Sequence, residues 1–306
     1  MLGSNVPTVG GFSTAFIVGD EWGCECIQIY LTPSRRWDVP KLQETVITEF
    51  KEYWKNSLVK EVVGHIPFLV NLATAEEVLW RKSIARVITE LSYAQQLGVK
   101  FLVLHLGSSV NASIEKGVSK VITALNMIFQ KATDFPGYLL IETTAGQGHM
   151  IGSSFTQVAN ILSKIDGVDK MGVCLDTAHI FASGYDLRGY SGYEKVLSQF
   201  NQIIGIERIK VIHLNDSKAN FGSHIDRHTS IGKGRIGLQL FHAIMKDIRF
   251  SNVPKIIEVP DRDTQSEDSL KLLRELQITS DGIKENKEAL QQLTLEEVVL
   301  WKSAKK

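Results

Sequence analysis

Residues 138–148 read YLLIETTAGQG: a short apolar run that closes on a carboxylate, Glu142, before a polar, glycine-bearing turn. The same arrangement recurs along the chain. VVGHIP (62–67) ends its run at His65, KFLVLHL (100–106) at His105, MGVCLDT (171–177) at Asp176, KVIHLN (210–215) at His213 and KIIEVP (255–260) at Glu258. Successive members lie about 35–45 residues apart, room for one strand and one helix between each pair. Imidazole and carboxylate groups are the side chains that bind zinc or manganese. So many of them converge on one point only if their strands stand side by side in a barrel.

Two further runs, near 2–6 and 25–31 (ECIQIYL), bring the strand-like segments to eight, with helical periodicity between them. In EEVLWRKSIARVITELSYAQQLG, Val78, Leu79, Ile84, Val87, Ile88, Leu91 and Ala94 recur at three- and four-residue spacing. EKGVSKVITALNMIFQKATDF and SGYEKVLSQFNQIIG read the same way, and Gly98 and Gly205 stand where helices stop. Alternating strands and helices without a long polar linker predict a single-domain α/β protein, a (β/α)8 TIM barrel. Its strands are buried on both faces, which accounts for near-continuous apolar runs. An open doubly wound sheet would offer only a crevice at its switch point, and would not gather ligands from six strand ends. The barrel is expected over residues 1–279. Residues 280–306 are read as a helical C-terminal extension, with Thr294 and Glu297 in TLEEVVLWKSAKK at capping-box spacing.

The chain has 306 residues, 43% of them hydrophobic, so one large core is within reach. Lys plus Arg equal Asp plus Glu at 34 each, which argues against a protein that coats nucleic acid non-specifically and leaves room for a local basic rim. Three cysteines, Cys24, Cys26 and Cys174, form no disulfide framework and read as reduced thiols. With neither a spanning apolar stretch nor signal-peptide blocks, the expectation is a soluble cytoplasmic protein with no membrane partner, a monomer.

Single candidates carry little weight, since a lone strand-end histidine is usually a hydrogen-bonded core residue. Jointly they carry more, because runs ending in His, Glu and Asp bury costly groups that divalent cations would compensate. In DTAH, His179 lies one turn beyond Asp176. In SHIDRHTS (223–230), Asp226 and His228 are two apart and point the same way if extended. His242, within a helical pattern, reads as structural, whereas His149 and His224 flank motif loops. SIGKGRIG (230–237) spells G-x-G-x-x-G with Gly232, Gly234 and Gly237. It lacks the preceding strand of a dinucleotide fingerprint. It reads better as a loop whose backbone amides, with Lys233 and Arg235, approach a phosphodiester. No Ser-His-Asp order or P-loop is visible.

Together HLGSS, IETTAGQG, GVCLDTAHIFASGYDL, HLNDSK and DRHTSIGKGRIG resemble the endonuclease IV family of apurinic/apyrimidinic endonucleases, from near residue 3 to about 260. The resemblance implies three zinc ions, with manganese an option at one or more sites. His65, His105 and Glu142 would hold one ion, and Glu142, Asp176, His213 and Glu258 a second. His179, Asp226 and His228 would hold the third. It also implies a hydrolase that cuts duplex DNA 5′ to an abasic site in base excision repair, leaving a 3′-hydroxyl and a 5′-deoxyribose phosphate. Glu142, bridging two ions, and Glu258, ligating or assisting proton transfer, would be the catalytic carboxylates. Arg35, Phe68 and Leu69 match family residues that push into the DNA stack, while Arg227, Lys233 and Arg235 would face phosphates. Asn5, Leu106 and Ser109 depart from the family's usual His, Pro and His, which bears on substrate preference. Two alternatives stay open: a metal-dependent sugar isomerase or epimerase on the same barrel, and a barrel that binds damaged DNA without cutting it.

Overall fold

A computed structural model describes residues 1–110, 112–132, 134–259 and 264–278. The extension expected over 280–306 lies outside the described residues. The apolar runs form strands β1 (Leu2–Asn5), β2 (Cys26–Tyr30), β3 (Glu61–His65), β4 (Phe101–Leu104), β5 (Tyr138–Glu142), β6 (Met171–Asp176) and β7 (Ile209–His213). A two-stranded hairpin, β8 (Asp216–Ser217) and β9 (His228–Thr229), precedes the last strand, β10 (Lys255–Ile257). The eight expected strands close a parallel barrel in the order β1-β10-β7-β6-β5-β4-β3-β2. The hairpin has no signature in the sequence, because two residues per strand leave no alternation to read.

Helices α1 (Phe12–Glu21), α2 (Glu44–Asn56), α3 (Glu77–Leu97), α4 (Ile114–Lys131), α5 (Phe155–Leu162), α6 (Thr177–Ser183), α7 (Gly189–Ile203), α8 (Leu238–Lys246) and α9 (Thr264–Ile278) join or follow the strands. Their ends follow local chemistry. Ser113 and Ser154 cap α4 and α5 by accepting from Lys116 N and Gln157 N. Gly98 closes α3 in the left-handed region at φ 84°, where a Cβ would be strained. Among the described residues no helix is long and apolar enough to cross a membrane.

Most apolar side chains pack between barrel and helices, but a separate small cluster fills the barrel itself. It consists of Cys26, Val63, Val103, Leu140, Cys174, Val211 and Ile256, one from each of seven strands. The remaining strand, β1, has Gly3 in register with Cys26 and Ile256, and a Cβ there would lie 1.5 Å from the Cys26 carbonyl oxygen. The barrel is therefore filled and floored below its C-terminal mouth.

One buried polar network ties a mouth loop to this frame. Arg86 and Glu90, both buried on α3, pair at 2.8 Å. Arg86 also donates to the carbonyls of Pro33 (2.9 Å), Arg36 (2.7 Å) and Trp37 (3.3 Å), and both side chains bond to Thr32 Oγ1. The segment after β2 is thus held from beneath by one guanidinium. Truncation of one partner in a buried pair strands the other. Arg86→Met should lower unfolding stability by about 3 kcal/mol in denaturant titration, and Arg86→Met with Glu90→Leu should recover much of that loss. Equal stability of single variant and wild type would contradict the assignment.

Candidate metal centre

Side chains two residues apart on a strand share a face. Two positions on from the floor residues Val63, Val103, Leu140, Cys174, Val211 and Ile256 stand His65, His105, Glu142, Asp176, His213 and Glu258. Each run thus carries its polar residue one pleat above the floor, at the mouth where barrel enzymes work. Asp176 ends β6 and caps α6, its Oδ1 accepting from His179 N at 2.7 Å, which sets His179 one turn further on. The β8–β9 hairpin brings Asp226 and His228 back over the same mouth.

The atoms converge closely. Glu142 Oε2 lies 3.2 Å from His65 Nε2 and 2.9 Å from His105 Nε2, while its Oε1 lies 3.0 Å from His213 Nδ1 and 3.3 Å from His179 Nδ1. Glu258 Oε2 is 3.2 Å from His213 Nδ1. Asp226 reaches His179 Nε2 at 3.2 Å and His228 Nε2 at 3.4 Å. Three sets have potential ligand atoms within 4.8 Å of one another: His65, His105 and Glu142; Glu142, Asp176, His213 and Glu258; and Asp176, His179 and His228. Eight of the nine side chains singled out in the sequence fall in these groups; Asp226, expected in the third, lies beside it through His179 and His228, and Asp176 takes its place there. One difference is that Asp176 serves two groups, its Oδ2 lying 3.8 Å from His213 Nδ1 and 3.6 Å from His228 Nε2.

Ring nitrogens bonded to backbone carbonyls tell how the rings are set. His65 Nδ1 donates to Ile66 O at 2.8 Å and His179 Nδ1 to Thr143 O at 2.8 Å. A carbonyl only accepts, so Nδ1 is assigned a proton, and Nε2 is the nitrogen turned on the cluster and left for a cation. This is how metal-binding imidazoles are normally oriented. His228 Nε2 is buried and makes no hydrogen bond despite its two carboxylate neighbours. Asn215, which the sequence reading passed over, donates through Nδ2 to Asp176 Oδ2 (2.7 Å) and Glu258 Oε2 (3.2 Å), and accepts from Glu258 N (2.7 Å).

Electrostatics make the same demand. Burial alone would raise the Glu142 carboxyl, yet His105 and His213 hold it well below its usual value. Burial would lower His179, but Asp176, Asp226 and Glu142 outweigh it and raise it well above normal. His213 is likewise raised against its burial, by Cys174, Glu258 and Glu142. The carboxylates thus draw positive charge into the cluster. Nitrogen and oxygen donors in groups of three or four fit zinc-class cations.

The other candidates sit around the mouth. Phe68 is 66% exposed, with its ring 4.9 Å from that of His105 and 5.6 Å from that of His65. Leu69 is half-buried beside it, and Arg35, Arg227, Lys233 and Arg235 are exposed. His242 is buried in α8 against Tyr190, as expected of a structural residue. His149 and His224 have left-handed backbones, φ 63° and 54°, and His224 Nδ1 bonds to Ala145 O. Leu106 and Ser109 are buried, a Cβ on Gly117 lying 2.6 Å from that of Ser109, so these two departures face the loop interior.

The glycine-rich loop requires a correction. Its amides do not present themselves to a phosphodiester. Gly232 N (3.0 Å) and Gly234 N (2.9 Å) donate to Asp216 Oδ2, and Ile236 N (3.2 Å) and Ser217 N (2.8 Å) to Asp216 Oδ1. Asp216 is fully buried, and a Cβ on Gly234 would lie 2.2 Å from its Oδ1. The glycines wrap the chain around an internal anion, leaving Lys233 and Arg235 outside. HLNDSK contained this aspartate, but its partners in the glycine-rich loop lie 16 to 20 positions on.

Comparison with known proteins agrees with this geometry. A family model for xylose isomerase-like TIM barrels matches residues 18–276. A relative named "Probable endonuclease 4" from Geobacter sulfurreducens is 35% identical over 271 residues, covering 89% of this chain and 92% of its own. Endonuclease IV from Thermus thermophilus superposes with a TM-score of 0.78 at 30% identity, over 90% of this chain and 98% of that one. A D-tagatose 3-epimerase-like protein, with a TM-score of 0.70 at 18% identity over 90% of this chain and 96% of its own, shares the fold.

If Asp216 organises the loop, Asp216→Ala should leave the amides of Gly232, Gly234 and Ile236 without acceptors. We expect a loss of about 2 kcal/mol in stability and faster hydrogen exchange confined to residues 230–237. Unchanged exchange there would remove the aspartate from that role.

Proposed function

Because the chain belongs to the endonuclease IV family of xylose isomerase-like TIM barrels, we propose that it is a zinc-dependent AP endonuclease that hydrolyses the phosphodiester 5′ to abasic sites in duplex DNA. The observation that carries this reading is the meeting of eight nitrogen- and oxygen-donor side chains in three groups at the barrel mouth, with Glu142 and Asp176 each common to two groups and Asp226 beside His179 and His228. Three zinc ions match that donor set at three to four ligands each, manganese being accommodated by the same donors. Bound there, such cations would activate water and offset charge on the phosphate.

The protein's own groups have the remaining tasks. Glu142 holds two groups together, and its burial keeps it from being solvated away. Glu258, whose side chain is 18% exposed, would ligate or assist proton transfer. Asp226, at 45%, lies nearest the opening and closes the group containing His179 and His228. Phe68 stands clear of the surface over the His65 and His105 rings, suited to enter a gap where a base is missing at the least cost in unstacking. Arg35, Arg227, Lys233 and Arg235 are the cations that would neutralise flanking phosphates, with Leu69 supporting Phe68. A sugar isomerase would use Glu142, Asp176, His213 and Glu258 but would leave His65, His105, His179, Asp226 and His228 without a task.

Metal-replete protein should carry three zinc ions by elemental analysis and cut a duplex with one abasic site, leaving a 3′-hydroxyl. Asp226→Ala with His228→Ala should remove one ion and lower cleavage at least ~100-fold, with the fold intact. One ion per chain, or sugar isomerisation without DNA cleavage, would overturn the proposal.

A second expectation concerns the lesion. Phe68→Ala should leave stability within about 0.5 kcal/mol, as for other exposed positions. It should cost about 1–3 kcal/mol in kcat/KM on abasic duplex, the range for an aromatic ring against bases. A large fall in melting temperature with normal cleavage would make Phe68 a packing residue instead.

A further inference from the structure

The pleat relation that places the ligands has another member. Two positions beyond the floor residue Cys26, on β2, stands Gln28, which is 1% exposed. It belongs to the same layer as His65, Glu142 and His213, yet its amide is no ordinary zinc ligand. Its hydrogen bonds say what it does there. Gln28 Nε2 donates to Glu258 Oε1 at 2.7 Å, and Gln28 Oε1 meets His213 Nε2 at 2.7 Å.

These two bonds determine each other. An ionised carboxylate only accepts, so the amide nitrogen must face Glu258 and the amide oxygen must face His213. That oxygen in turn only accepts, so His213 must carry its proton on Nε2. Nδ1, 3.0 Å from Glu142 Oε1 and 3.2 Å from Glu258 Oε2, is then the nitrogen that faces the carboxylates, and the one a cation would take there in place of a proton. The same bond to Glu258 engages Oε1 and turns Oε2 toward His213 and the amide of Asn215. A side chain one methylene shorter would lose the reach to span both partners.

We propose that Gln28 is a positioning residue of the metal centre: it sets the His213 tautomer and the Glu258 rotamer, and so builds the group formed by Glu142, Asp176, His213 and Glu258. This rests on the metal-dependent reading above. Both polar atoms of the Gln28 amide are engaged by Glu258 and His213, so it acts through the two residues it bridges.

The test uses the full chain, stripped of metal and titrated with zinc in buffered solution. Gln28→Leu removes both hydrogen bonds at similar volume. It should weaken one zinc ion by roughly 10–100-fold while the others fill as in wild type. Long-range 15N–1H spectra of the zinc-loaded wild type should show His213 protonated on Nε2, and the variant should lose that signature. Gln28→Glu keeps an acceptor for His213 but places a second carboxylate against Glu258. It should retain the tautomer and still bind one ion more weakly, which separates the two bonds. Wild-type zinc affinity in a folded Gln28→Leu, or a wild-type His213 protonated on Nδ1, would overturn the assignment. Should Gln28→Leu fail to fold, the wild-type tautomer and the Gln28→Glu titration decide it. A wild-type chain that takes up no zinc would instead bring down the metal-dependent reading itself.

Discussion

Everything at the mouth of this barrel depends on a single pleat step between an apolar floor and a polar layer above it. Val63, Val103, Leu140, Cys174, Val211 and Ile256 exclude water from beneath. Two residues later the same strands present His65, His105, Glu142, Asp176, His213 and Glu258. The parallel strands are staggered, Asp176 lying opposite His213 but His65 opposite Val103 and Glu142 opposite Cys174, and closure of the barrel turns all six side chains toward one mouth. Carboxylates gathered on a dry floor are costly unless positive charge joins them. The raised His179 and His213 and the lowered Glu142 are the signs of that demand.

A cluster of this kind must be held open as well as gathered. Left to themselves, imidazoles and carboxylates would pair in whatever rotamers solvated them best. Neighbouring acceptors and donors restrict the choice: Ile66 O for His65, Thr143 O for His179, Gln28 for His213, and Asn215 for Asp176 and Glu258. None of these groups bears the charge that binds a cation. They decide which atom of each ligand is free to do so, and hold it there before any ion arrives.

The loops around the centre follow a related rule, in which a buried charge serves as the template for backbone. Arg86 collects the carbonyls of Pro33, Arg36 and Trp37 beneath the segment bearing Arg35. Asp216 collects the amides of Gly232, Gly234 and Ile236 beneath Lys233 and Arg235. One cation and one anion, each inside the protein, thus shape the surfaces that display cations outside. The hairpin that begins at Asp216 also returns His228 to the cluster of imidazoles and carboxylates, so the loop and the cluster share a support.

The eight strands and the barrel are legible in the amino-acid sequence, as are the nine imidazole and carboxylate side chains that the fold brings to its mouth. Their signals are local: a short apolar run, a polar residue at its end, and a repeat of about 35–45 residues. Motif phrases such as DTAH and DRH added the family. Pairings between distant side chains carry no local mark and emerge only when the chain folds. Gln28 meets His213 across 185 positions, and Asn215 reaches Glu258 across 43. In sequence Gln28 is a polar residue inside a strand, and its meaning depends on which strand closes beside it. The G-x-G-x-x-G pattern shows the same limit, since glycine spacing records that a backbone curls tightly around an anion. Whether that anion is a ligand's phosphate or the protein's own Asp216 is settled by what the fold buries within the curl.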